Sequence, residues 1–220
     1  MITIHATKKL LSTLPVDEQG RLPVAHRFDN QQDTDKPRSS GSWHANLLTI
    51  QRRNCLLFIH DETRFPVFMP ALTKPDLANL NFLFEDALMN TLIKCGANHQ
   101  HMTHASMTLQ SMQFDTVCNR SVQGTLSRMG KMAERLIDSD GLKVGEISGY
   151  HVSAWLADFP CTMKGQKDCI WPKSTFLALL DGLADSPPAT EPDSEPSSLT
   201  RSSPELPENV VLLDAFRKPK

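Results

Sequence analysis

Residues 43–72, WHANLLTIQRRNCLLFIHDETRFPVFMPAL, decide the fold. Three runs rich in β-type residues, HANLLTI, CLLFIH and FPVFM, are separated by two short polar breaks, Gln51 to Asn54 and Asp61 to Arg64. Runs of that length between turn formers predict a three-stranded antiparallel meander. Cys55 to Ile59 is apolar at every position, the pattern of a strand covered on both faces. Pro66 suits an edge strand, where its missing N–H is not needed.

Working outward, Thr73 and Asp76 carry a helix-start signal, and Leu77, Leu80, Phe84, Leu88, Leu92 and Cys95 recur at helical spacing until Gly96. One long helix is expected there. Upstream, Ile2 to His5 alternates as a strand does, and Thr7 caps a helix reaching toward Leu14. Downstream, a shorter helix over 101–111 precedes a strand at FDTV, 114–117. Val122, Leu126, Met129, Ala133 and Leu136 then line one face of a further helix. Strand pieces and turns follow until Pro172 opens a last helix that ends near Gly182. This order predicts an α+β fold: a single domain with a central antiparallel meander packed by helices.

The domain is expected to span residues 1–183, with a polar surface loop at 28–42. Residues 184–208 hold six of the fifteen prolines and almost no large apolar side chain. Such a segment buries too little apolar surface to offset the backbone entropy of ordering, so a disordered linker is expected. It leads to NVVLLDAFRKPK, residues 209–220, an apolar-basic motif at the end of a tether. That motif either docks on its own body or engages a partner.

The formal net charge of -2 and the 22% of charged residues exclude a strongly basic nucleic-acid coat. Through Leu183 nineteen basic residues stand against eighteen acidic ones, so no continuous basic face is indicated. No apolar run reaches membrane-spanning length, and the N-terminus lacks the pattern of a secretory leader. Five widely spaced cysteines with no C-x-x-C pair describe neither a disulfide scaffold nor a zinc ribbon. A cytoplasmic protein with free thiols is expected, with pairing of Cys161 and Cys169 left open.

The segments GSWHANLLTIQRRNCLLFIHDETRFPVFMPALTKPDL, FDTVCNRSVQGTLSRM and WLADFPCTMKGQKDCIWPK resemble the bacterial DUF6933-like family, a domain of unknown function, over about residues 1–181. The resemblance implies a bacterial cytosolic protein with a one-domain α+β body. It brings no established reaction with it.

Phosphate-loop, dinucleotide, nucleophile-elbow and zincin motifs are absent from the sequence, and no cofactor is expected. The densest polar set lies in the meander: His44, Asn46, Arg52, Arg53, His60, Asp61 and Arg64, with Arg120 after a later strand. Imidazole moves protons near neutral pH and guanidinium forks hold phosphate oxygens. His44, Arg52, Arg53, Arg64 and Arg120 are therefore the catalytic candidates, set against plain structural roles. His99, His101 and His104 place three imidazoles within six residues, a weak metal candidate because no carboxylate or thiolate accompanies them at ligand spacing. Trp43, Trp155 and Trp171 are expected chiefly as core anchors rather than base-stacking platforms.

Two functions follow from this reading. The first is a non-catalytic interaction or regulatory module, with a protein partner engaged through the tethered C-terminal motif. The alternative is a small metal-independent nucleic-acid-processing or phosphate-binding enzyme using His44 and the arginines, with RNA as its partner.

Overall fold

The computed structural model describes residues 1–23, 41–109, 111–163 and 168–182. The linker at 184–208, the motif at 209–220 and most of the 28–42 loop lie outside the described residues. The described residues form an α+β fold, one five-stranded mixed sheet with helices on both faces.

The meander is present as read: β2 (Trp43–Ile50), β3 (Arg53–His60) and β4 (Pro66–Leu72) pair antiparallel. β1 (Ile2–Ala6) lies parallel to β2, and β5 (Met112–Asp115) lies parallel to β1, giving the order β4-β3-β2-β1-β5. The strand expected at 114–117 thus begins two residues earlier and stops at Asp115. β4 is an edge, which is where Pro66 costs no ladder hydrogen bond.

Strand alternation sorts the side chains of β3 into two cores. Leu56 and Phe58 join Ile2, Ile4, Trp43 and Ala45 beneath one helical layer, while Cys55, Leu57 and Ile59 join the other. The first layer contains α1 (Lys8–Leu11), α2 (Lys74–Ala78), α3 (Leu80–Lys94), α4 (His99–Thr108) and α7 (Pro172–Gly182). Against the second face pack α5 (Arg120–Ser139) and α6 (Gly149–Ala157). Trp43 is 1% exposed and meets His60, Phe84 and Phe176 edge-on, so it is the core anchor expected of it. Trp155 is half-buried against Phe159, whereas Trp171 is 54% exposed and anchors no core.

Other elements depart from expectation as well: α1 stops at Leu11, short of Leu14, and α4 runs from His99 to Thr108 where 101–111 was expected. The long helix after Thr73 is broken at Asn79, which caps α2 and opens α3. The capping box of Thr73 and Asp76 starts α2, and the apolar spacing runs on through the break because both helices bury one side against the same core. The α5 face buries Ile137 in place of Leu136, since the apolar stripe winds around the helix over five turns. The segment read as strand pieces contains α6 instead. Tyr150, Val152 and Trp155 have strand propensity, but Val152 and Leu156 stand one turn apart and both bury in the apolar layer where α6 meets β4 and α5. Packing overrides propensity there. The only β pairing in that region among the described residues is the isolated bridge between Cys161 and Ile170.

Candidate functional site

β1, β2 and β5 place three polar residues in one row. His5 pairs in register with both His44 and Asp115, so all three project from the sheet face on which α5 lies. Ile2, Ile4 and Ala6 fill the opposite face, which is why the intervening His5 must point here. Asp61, in the turn after β3, completes the group.

His44 is 2% exposed and uses both ring nitrogens. Its Nε2 accepts the backbone N–H of Asn119 at 2.9 Å, which places the proton on Nδ1, and Nδ1 donates to Asp61 Oδ1 at 2.6 Å. Ser42 Oγ donates to Asp61 Oδ2 at 2.7 Å. Burial by itself would raise the Asp61 carboxyl. The hydrogen bonds from His44 and Ser42, with the electrostatic influence of the neighbouring His44 and His5 rings, outweigh burial and hold it below the ordinary carboxylate value.

Arg64 is 2% exposed and has a left-handed backbone, φ 61°. Its Nη1 donates to the carbonyl of Asp61, and its Nη2 reaches Ser121 Oγ at 3.3 Å. Burial pulls its pKa down, partly opposed by Asp61 and Cys161. Arg64 therefore ties the Asp61 turn to the first turn of α5.

Beside that first turn lies a cleft of about 420 Å³ lined by Arg120, Ser121, Gly124, Thr125, Arg128, Thr162 and Met163. Two guanidiniums and three hydroxyls line it, with no carboxylate among the described residues. Arg128 is braced by the carbonyl of Pro160 at 3.0 Å and Cys161 Sγ at 2.9 Å. Arg120 is exposed and forms no ion pair among the described residues. In sequence Met163 leads into Lys164-Gly165-Gln166-Lys167, outside the described residues.

The structure thus brings His44, Arg64 and Arg120 to one end of the sheet and leaves Arg52 and Arg53 at the other. His44 and Ile50 are six residues apart on β2, about 20 Å at strand rise. Gln51 and Arg52 form the hairpin tip, both with left-handed φ, and Arg52 and Arg53 are exposed. The imidazoles read as a weak metal candidate do not converge. His101 Nε2 meets Asp181 at 2.8 Å, His104 Nδ1 meets the carbonyl of Leu180 at 3.0 Å, and His99 is exposed at the start of α4. Sequence reading missed His5, Asp115, Ser121, Thr125 and Arg128. For His5 the signal was present, a polar residue at an alternate position of a strand whose other side chains are apolar. The others needed the parallel pairing and the docking of α5.

The family model of DUF6933, described as a domain of unknown function, matches residues 3–175. The chain belongs to that family. The matched DUF6933 region contains β2 to β5 and all of β1 but Ile2, the His5, His44, Asp61 and Asp115 group, and the cleft-lining residues named above. No curated protein matches the sequence. Among solved structures the DUF6933 chain is similar, at a TM-score of 0.34 and 10% identity, to a chain in the cryo-EM structure of the simian T-cell lymphotropic virus intasome in complex with PP2A regulatory subunit B56 gamma. The likeness covers 84% of this chain and 68% of that one, and at that score it carries no argument about fold or function.

Proposed function

We propose that this DUF6933 protein is a non-catalytic binding module that takes a phosphate-bearing ligand in the cleft beside the start of α5. The observation that carries the reading is the lining: Arg120 and Arg128 with the hydroxyls of Ser121, Thr125 and Thr162, and no carboxylate among the described residues. Guanidinium forks and hydroxyls are the usual partners of phosphate oxygens. The bracing of Arg128 by Pro160 and Cys161 reduces the side-chain entropy lost on binding.

Binding is favoured over the enzymatic reading built on His44 because His44 has no free ring nitrogen. A general base needs a lone pair within reach of the proton it takes, and the Nε2 lone pair is spent on Asn119. A cytoplasmic location belongs to the same reading: five free cysteines, three of them buried, suit a reducing compartment.

Calorimetric titration with inorganic phosphate, pyrophosphate and a short single-stranded RNA tests the cleft. Arg120→Ala and Arg128→Met are expected to weaken binding by roughly tenfold or more each, the loss of one charge-assisted contact. Wild-type protein that binds none of the three probes would remove the reading. RNA cleavage abolished in a folded His44→Ala protein would replace it with the enzymatic one.

The sequence favours a second mode of binding as well, through the apolar-basic motif 209–220 on its Pro/Ser-rich tether. Hydrogen exchange on the full chain and on residues 1–184 is expected to show protection of a patch of the body that truncation removes. Identical patterns would eliminate docking on the body.

A further inference from the structure

His5 stands between two carboxylates. Its Nδ1 lies 2.6 Å from Asp115 Oδ1, a hydrogen bond that puts the ring proton on Nδ1. Its Nε2 therefore turns a lone pair outward, and the atom it faces is Asp61 Oδ2 at 3.8 Å. That distance is too long for a hydrogen bond. A lone pair and a carboxylate oxygen facing one another repel unless positive charge lies between them. Zinc binds imidazole nitrogen and carboxylate oxygen at about 2.0 to 2.2 Å, so an ion seated between these atoms requires only a few tenths of an ångström of movement.

We propose that His5 Nε2 and Asp61 Oδ2 bind a borderline divalent cation of the zinc type, with Asp115 and His44 as positioning residues. Asp115 fixes the His5 tautomer, the carboxylate–histidine–metal relation that orients metal ligands and raises their basicity. His44 Nδ1–H and Ser42 Oγ–H hold the Asp61 carboxylate in place, and Oδ2 keeps a lone pair for the ion. The ligand atoms of His5, His44 and Asp61 all lie within 4.8 Å of one another. His44 nevertheless stays a positioning residue, because ligation through Nδ1 would move its proton to Nε2 and break the bond from the Asn119 N–H. Two protein ligands leave the remaining positions of a four-coordinate zinc to water or another oxygen donor, one protein ligand fewer than catalytic zinc sites usually supply. The His5 side chain is 13% exposed, which leaves a route for the ion. This inference does not depend on the phosphate cleft, and each can fail without the other.

The test is zinc titration of the full chain by calorimetry near neutral pH. The exposed thiols Cys118 and Cys169 and the exposed His99 are zinc ligands in their own right, so the diagnostic quantity is a difference in stoichiometry. His5→Gln is expected to lose one equivalent. Asp115→Asn keeps both ligands and is expected to weaken that equivalent by about 10- to 100-fold. A readout that needs no variant is the ¹⁵N shift of His5 Nε2 in the wild-type chain, expected to move on zinc addition at constant pH. A resonance that answers to pH and ignores zinc would show that the occupant is a proton. Unchanged stoichiometry in a folded His5→Gln protein would likewise overturn the proposal.

Discussion

Asp61 shows how much one turn residue can organise. Its carboxylate receives His44 and Ser42, its carbonyl receives Arg64, and its backbone N–H donates to the carbonyl of Ser42 at 2.9 Å. Because its folded pKa lies below the unfolded value of 3.8, Asp61 binds a proton more readily when the chain unfolds. Its contribution to stability is therefore complete above about pH 4 and is lost as the pH falls through the depressed folded value. Asp61→Asn is expected to lower stability at pH 7 and to flatten the acid limb of the stability profile, measured by urea denaturation from pH 7 to pH 2.5. An acid limb unchanged in the variant would assign the dependence to other carboxyls. The residue was legible in the sequence as a turn former after a strand. Its role was not, because Ser42, His44 and Arg64 reach it only when the β2–β3 register is set.

At the scale of elements, the contact of α6 with the edge strand β4 has the least slack. Gly149 opens α6, and a Cβ there would stand 2.5 Å from the carbonyl oxygen of Phe68 and 2.7 Å from Pro70 Cδ. One turn on, Ser153 Oγ accepts the Phe68 N–H at 2.7 Å and donates to the Gly149 carbonyl at 2.8 Å. The helix thus satisfies an edge-strand donor that no further strand covers. Gly149→Ala forces backbone apart and is expected to destabilise by about 1 to 3 kcal/mol, despite alanine's better helix propensity. Chemical denaturation measures it, and a neutral or stabilising result would mean that α6 sits farther from β4 than described. In sequence this helix was hidden by its own composition, since Tyr150, Val152 and Trp155 are residues that strands favour.

For the whole molecule, the sheet divides the described body into two apolar layers, and β3 contributes to both. Every residue from Cys55 to His60 is buried. Its amides therefore open only when both layers come apart, which is global unfolding. In hydrogen exchange the N–H groups of Cys55 to Ile59 are expected to be among the slowest in the chain. The amides of Thr116 and Cys118, in the exposed segment between β5 and α5, are expected to exchange early. Faster exchange in β3 than in α5 would mean that the layers separate independently.

The meander, the double coverage of β3, the edge position of β4 and the first and last helices were all legible in the sequence. They depend on local patterning, period-two alternation and capping chemistry, which a chain carries wherever it goes. The α+β class followed from the same information. Tertiary structure alone decided the parallel pairing of β1 with β2 and β5, the identity of α6, and the site itself. Residues 5, 44, 61 and 115 share no local pattern. They meet because strands distant in sequence are brought into register, and because α5 starts where its N-cap backbone N–H can close on His44. The arginines divide for the same reason: a strand as long as β2 carries Arg52 and Arg53 to the end of the sheet opposite His44, while the fold brings Arg64 and Arg120 back to it.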